Sequence, residues 1–168
     1  MEIVESLLGS SMHIPPWEAF LRLLAAVLVG AVVGFDRELR NKPAGLRTHI
    51  LVSLAAALFT LITFELHHSV VSNNARTTAD PIRIIEAVTA GVAFLAAGAI
   101  IQSRGNVRGL TTGANMWLAG ALGVACGAGD YLLAIFGTIF ALIVLVVLGR
   151  LEQIARKDNK SAEDSDQS

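Results

Sequence analysis

Cysteine is nearly missing from this chain. Cys126 is alone among 168 residues, so no intrachain disulfide can form. Charge is scarce as well: Asp, Glu, Lys and Arg make up 16%, against about 25% in an ordinary soluble domain. Residues 1–16 contain Glu2 and Glu5 but no Lys or Arg. A secretion signal opens with positive charge, so this N-terminus does not read as one. There is no Cys-x-x-Cys, no phosphate-binding glycine loop and no Ser-His-Asp set that could share one depth. The histidines, His13, His49, His67 and His68, are scattered. The adjacent pair His67-His68 points about 100° apart on a helix and lacks the shared face that a metal pair needs. These gaps argue against an enzyme, a metal centre or a bound cofactor. A net charge of −1 makes no case for a nucleic-acid partner.

What the chain has in quantity is apolar sequence: 54% hydrophobic residues and a mean hydropathy of +0.61. Apolar runs lie at about 19–35, 48–66, 84–102, 110–129 and 131–149. Each meets the roughly 17–25 residues that a bilayer-crossing helix requires. Inside them the charged residues are Arg22, Glu65 and Glu86, all near a segment end. The expected fold is therefore all-α, an integral membrane bundle of five transmembrane helices at about 17–35, 48–66, 84–102, 110–129 and 131–149. Residues 1–16 form a segment outside, 17–149 the membrane domain and 150–168 a polar cytoplasmic tail. Pro15-Pro16-Trp17 reads as an interfacial entry into helix 1, with Trp17 at headgroup level.

Charge distribution sets an orientation. Arg37, Arg40, Lys42 and Arg47 follow helix 1, Arg104 and Arg108 follow helix 3, and Arg150, Arg156, Lys157 and Lys160 lie in the tail. The opposite side receives Arg76 and Arg83. The positive-inside rule then puts the N-terminus outside and the C-terminus in the cytoplasm. Asp80-Pro81 reads as the cap and first position of helix 3. Gly127, Gly129 and Asp130 read as a glycine stop for helix 4 and a cap for helix 5.

Small residues recur at packing intervals: Gly30 and Gly34 in helix 1, Ala93 and Ala97 with Ala90, Gly91 and Gly98 in helix 3, and Gly113, Gly120 and Gly127 with Gly123 in helix 4. In lipid such seams mark close helix contacts, either within the chain or in a homo-oligomer. Helix 5, polar only at Thr138, is the candidate for lipid exposure. Arg22 shares a face with Ala26, Gly30 and Val33, and lies at the depth of Glu65 and Glu86. It is expected either to pair with one of them or to reach the headgroups. On the inner side Asp36–Arg40 and Glu38–Lys42 stand at i,i+4 spacing. Helix 1 is expected to run on until Pro43, with Thr48 capping helix 2. Thr111, Thr112 and Asn115 place a polar patch just inside helix 4.

The run Gly34-Phe-Asp-Arg-Glu-Leu-Arg-Asn-Lys-Pro-Ala-Gly-Leu-Arg-Thr-His49 resembles the signature of the MgtC/SapB family. Further matches follow in order: Leu58-Phe59-Thr60, Asp80-Pro81-x-Arg83, Phe94-Leu95-x-Ala97-Gly98-x-Ile100-Ile101, and Val107-Arg108-Gly109-Leu110-Thr111-Thr112 leading to Ala114 and Trp117. The resemblance covers roughly residues 20–145. It implies a bacterial inner-membrane protein linked to growth in low magnesium and, in pathogens, to survival inside macrophages. Two activities stay open. One is regulation of membrane partners such as the ATP synthase or other transport systems; the other is transport of magnesium or another cation. Founding members add an ACT-like soluble domain, so this chain resembles a short member without it. Ala93 and Ala96 stand where glycines are common in the family, and Glu86 where a small or amide residue is usual; these departures point to a sub-branch with another partner. The motif residues expected to act together on the inner face are Asp36, Arg37, Glu38, Arg40, Lys42, Arg47, His49, Arg108, Thr111 and Asn115. Loss of function with intact insertion is expected for Arg37→Ala and Arg108→Ala.

Overall fold

The computed structural model describes residues 13–72, 82–103 and 106–150. Asp80-Pro81, Arg76, Arg104 and the tail after Arg150 lie outside these residues. The described chain is all-α apart from one small hairpin. Helix α1 spans Pro16–Leu39 and α2 spans Leu46–Ser72. Helix α3 spans Ile82–Gly98 and α4 spans Leu110–Ala128. Helix α5, Tyr131–Ile143, continues as a π-helical stretch, Val144–Leu148. Among the described residues, Pro16–Leu39, Leu46–Val71 and Tyr131–Leu148 are long and apolar enough to cross a membrane.

The ends of these helices have local causes. Pro16 sits in the first turn of α1, where a missing N–H costs nothing. Helix α1 stops at Leu39, before Pro43, and Asn41 turns the chain with φ +50, a conformation Asn tolerates better than most residues. Helix α2 begins at Leu46, so Thr48 lies within its first turn and is not its cap. The Leu46 N–H donates instead to the Glu38 carboxylate at 3.0 Å. Glu38 is thereby committed across the turn, whereas the sequence spacing had suggested Lys42. Gly129, in the left-handed conformation, and the Asp130 N–H bonded to the Ala125 carbonyl close α4. Asp130 occupies the cap position of α5 but makes no side-chain cap bond.

Helix α3 ends at Gly98, short of the expected 102. The chain then forms strands β1, Ile101–Ser103, and β2, Asn106–Arg108, antiparallel with Ile101 opposite Arg108. The apolar pair Ile100-Ile101 suits a strand as well as a helix, and hydropathy alone does not separate the two.

The interior holds small side chains and the surface holds large ones. Ala26, Ala56, Ala57, Ala119, Cys126 and Ala134 are buried, while Phe20, Leu28, Phe35, Phe59, Phe94 and Phe140 are exposed. A soluble domain would bury those phenylalanines. Lipid accepts them, and leaves small residues to bring backbones together. Helix α2 is packed between α1 and α4. A Cβ on Gly30 would lie 2.8 Å from the His49 carbonyl oxygen, and one on Gly34 2.9 Å from Leu46 Cα. From the other side, a Cβ on Gly127 would lie 2.7 Å from the Ala57 oxygen, and one on Gly123 would strike the Ser53 oxygen.

Two packing expectations need correction. The glycines of α4 do not serve one neighbour: Gly113 and Gly120 face Ala96 and Val92 of α3, whereas Gly127 faces α2. A straight helix drifts about 20° per heptad, enough to hand the third position to the next helix. Ala93 and Ala97 are exposed, because α3 packs through Val88, Val92 and Ala96. Among the described residues nothing stands within 4 Å of a Cβ on Gly91 or Gly98.

Candidate functional site: a basic cleft at one end of the bundle

The turn between α1 and α2, the β-hairpin, the start of α4 and the π-helical end of α5 meet at one end of the bundle. Between them lies a cleft of about 1360 Å³. Its polar lining comes from Asp36, Arg37, Arg40, Asn41, Lys42, Arg108, Thr111 and Thr112, and its apolar wall from Leu39, Val144, Leu145 and Leu148. Four side chains are cationic and one is a carboxylate. That carboxylate, Asp36, accepts from Arg40 Nε at 3.0 Å. Arg40 also reaches across to α5, its Nη1 lying 3.3 Å from where a Gly149 Cβ would be.

Arg37 projects from the last turn of α1 into the interior, 4% exposed. Its Nη2 donates to the Thr112 hydroxyl at 2.6 Å, joining α1 to the first turn of α4. Thr111, the neighbour singled out in the sequence, is exposed and lines the cleft. Gly109 makes the junction possible. Its φ is +89, and the Ala99 carbonyl oxygen occupies the place a Cβ would take, so only glycine fits.

Behind the cleft lies a second set of polar groups. His49 is fully buried, and its Nδ1–H donates to the Gly45 carbonyl at 2.8 Å. Ser53, one turn later, and Asn115 are buried too. Helices α2 and α4 run in the same direction, with Gly123 against Ser53 and Gly127 against Ala57. Two turns back from Gly123 and Ser53 put Asn115 level with Gly45, whose carbonyl accepts from His49 one turn on. His49 Nε2, Ser53 Oγ and Asn115 Nδ2 are buried with no hydrogen-bond partner among the described residues.

Of the ten inner-face residues named from the sequence, Asp36, Arg37, Arg40, Lys42, Arg108 and Thr111 line the cleft. His49 and Asn115 lie beneath it, Glu38 caps α2, and Arg47 is exposed away from the cleft lining. Sequence reasoning missed the wall given by α5, which no spacing in the sequence signals. It also underrated Thr112, whose place in the Val-Arg-Gly-Leu-Thr-Thr run was the available clue.

At the opposite end, the charges expected within the membrane pair differently from expectation. Arg22 meets neither Glu65 nor Glu86. It donates to Glu18 at 2.5 Å, one turn earlier in α1, and to the Gly127 carbonyl at 2.8 Å. Glu65 accepts the backbone N–H groups of His13 and Ile14, at 2.9 and 2.7 Å, and so holds the segment preceding α1. Glu86 is exposed. The acid that satisfies Arg22 stood at i−4, just outside the apolar run.

Comparison with known proteins places the chain in a family. The chain is 38% identical over 134 residues to "Putative magnesium transporter YhiD" of Escherichia coli K12, covering 80% of this chain and 62% of that one. It is 40% identical over 144 residues to protein SrpB of Synechococcus elongatus, covering 80% and 76%. It is 39% identical over 132 residues to protein MgtC of Brucella abortus, covering 79% and 52%. The chain thus spans about 62% of YhiD and about half of MgtC. No solved structure matches it at a significant level. The profile of the MgtC family covers residues 23–154. An inside-out bundle of membrane type, relatives of this identity and a family match across most of the sequence lead to one conclusion: this chain belongs to the MgtC family.

Proposed function

We propose that this MgtC-family protein is a multi-pass protein of the bacterial inner membrane, with five spans, an outer N-terminus and a cytoplasmic C-terminus. It acts as a non-enzymatic regulator of membrane transport or of the ATP synthase, linked to growth in low magnesium and to intracellular survival. The working surface is the basic end of the bundle around the cleft, presented to a membrane-protein partner. Ten of the 13 Lys and Arg residues fall on one side under the five-span reading, Arg37, Arg40, Lys42 and Arg108 of the cleft among them, which supports the orientation. At 1.5 Å per residue, α3 and α4 measure about 25 and 28 Å, close to the hydrocarbon thickness. The exposed Ala90, Ala93 and Ala97 of α3 favour a contact with a second helix from outside the chain.

The observation that carries the regulatory reading is the sign of the cleft. Magnesium takes oxygen ligands and keeps much of its water. Here it would meet Arg37, Arg40, Lys42 and Arg108, with Asp36 already engaged by Arg40. The second reading, a magnesium transporter, is favoured by the name of the YhiD relative. Magnesium influx into liposomes holding the folded protein in known orientation separates the two. The expected result is flux no greater than in protein-free liposomes. Saturable flux that disappears in an Asp36→Asn/Glu38→Gln variant would establish the transporter and overturn regulation.

A further inference from the structure

Arg37 is a buried cation with no ion pair among the described residues. Its guanidinium is charged at every physiological pH, yet the side chain is buried. Among the described residues its one hydrogen-bond partner is a neutral hydroxyl, that of Thr112, and its Nε is buried with none. Asp36, the adjacent acid, lies within electrostatic reach but bonds Arg40 directly. Among the described residues no carboxylate stands within ion-pair distance of Arg37. A buried charge without a directly bonded carboxylate is disfavoured, so the site favours a further anion.

The surroundings say which kind. Gly109 caps α4 without a side chain, so the first turn of this 19-residue helix has no side-chain cap. Helix N-termini attract anions through their free N–H groups and dipole. Gly109 to Thr112 line the cleft beside Arg37, and Lys42 and Arg108 line it too, both exposed. The remaining wall is oily: Leu39, Val144 and Leu148 are exposed at its edge. Cations around a helix N-terminus suit a phosphate group, and an apolar wall beside them suits the chains attached to it.

We propose that the cleft binds a phosphate group carried by an anionic phospholipid, with the headgroup against Arg37, Arg108 and the start of α4, and the acyl chains along Leu39, Val144 and Leu148. A free phosphate compound offers the same head chemistry without a use for the oily wall. The inference rests on the reading that the basic end lies at the cytoplasmic headgroup layer. Its test is independent of the magnesium experiment, because binding is read directly and no flux is involved.

The full chain is placed in nanodiscs of phosphatidylcholine alone, of phosphatidylcholine with phosphatidylglycerol, and of phosphatidylcholine with sodium phosphate in the buffer at constant ionic strength. Thermal unfolding and native mass spectrometry of retained lipid are read. Phosphatidylglycerol should raise the melting temperature of the parent protein and be retained over phosphatidylcholine. Arg37→Met should fold, melt in phosphatidylcholine at or above the parent because the unbalanced charge is gone, and lose the phosphatidylglycerol shift. Arg108→Gln, at an exposed position, should weaken retention by about tenfold. A shift from inorganic phosphate as large as that from phosphatidylglycerol would overturn the lipid source. No shift in the parent, or an equal shift in both variants, would overturn the anion site altogether.

Discussion

Arg22 Nη1 donates to the Gly127 carbonyl at 2.8 Å, fastening the entry of the first helix to the last turn of the fourth. A helix leaves its final carbonyls without intrahelical donors, and a cation there also complements the dipole. Arg22→Ala removes the donor and leaves Glu18 without its cation. We expect a loss of about 1–3 kcal/mol in thermal or denaturant unfolding in micelles. Glu18→Gln should lose less, under about 1 kcal/mol, because the Glu18 side chain is one-third exposed and screened.

Glycine positions divide sharply. At Gly123 a methyl group would meet the Ser53 carbonyl oxygen, which belongs to backbone and cannot swing aside. Gly123→Ala should therefore cost about 3 kcal/mol or more, at or beyond the upper end of ordinary overpacking. At Gly91 the same change meets open space. Gly91→Ala should be neutral or stabilise by up to about 1 kcal/mol. Circular-dichroism melts of the two variants side by side provide the check.

Glu38 closes the start of α2 across the turn. Glu38→Ala should cost about 1 kcal/mol, the usual worth of a helix cap, and should speed hydrogen exchange at the Leu46 amide. Gly45→Ala should produce the same exchange signature by another route, since its methyl group would displace the Glu38 carboxylate.

Orientation is open to chemical labelling. In a Cys126→Ala background, Val71→Cys and Arg47→Cys place thiols at exposed positions on opposite ends of α2. A membrane-impermeant maleimide applied to whole cells should label the first and spare the second until the membrane is broken. The reverse pattern would invert the proposed topology.

The helices were largely legible because each is a long apolar run closed by a polar or glycine signal, as at Gly127 to Asp130. Which face of each helix points inward was not. On α3 the repeats Ala90, Ala93, Ala97 and Val88, Val92, Ala96 fit helical spacing equally well, and without a polar solvent nothing in composition marks the outward one. The end of α3 was misplaced for a related reason: Ile100 and Ile101 are apolar in either secondary structure. Charges were read by depth along the helix, which paired Arg22 with Glu65 or Glu86 and overlooked Glu18 at i−4. The cleft residues of the first turn were in view from their motif, since they are contiguous in sequence. The wall from α5 was invisible, because Val144 and Leu148 differ in no way from their exposed apolar neighbours.

The two-sided approach to α2 has a mechanical consequence. Its carbonyls at His49, Ser53 and Ala57 each lie beneath a missing side chain on α1 or α4, so sliding by one residue would bring a larger neighbour onto backbone. Helices α1, α2 and α4 therefore behave as a clamped frame. Helix α3, seated on α4 by a few mid-sized side chains, and α5, whose final turns relax into a π-helix, are the jointed members. The hairpin after α3 and the π-helical turns of α5 both border the cleft, so any motion of these two helices is delivered there as a change in its width.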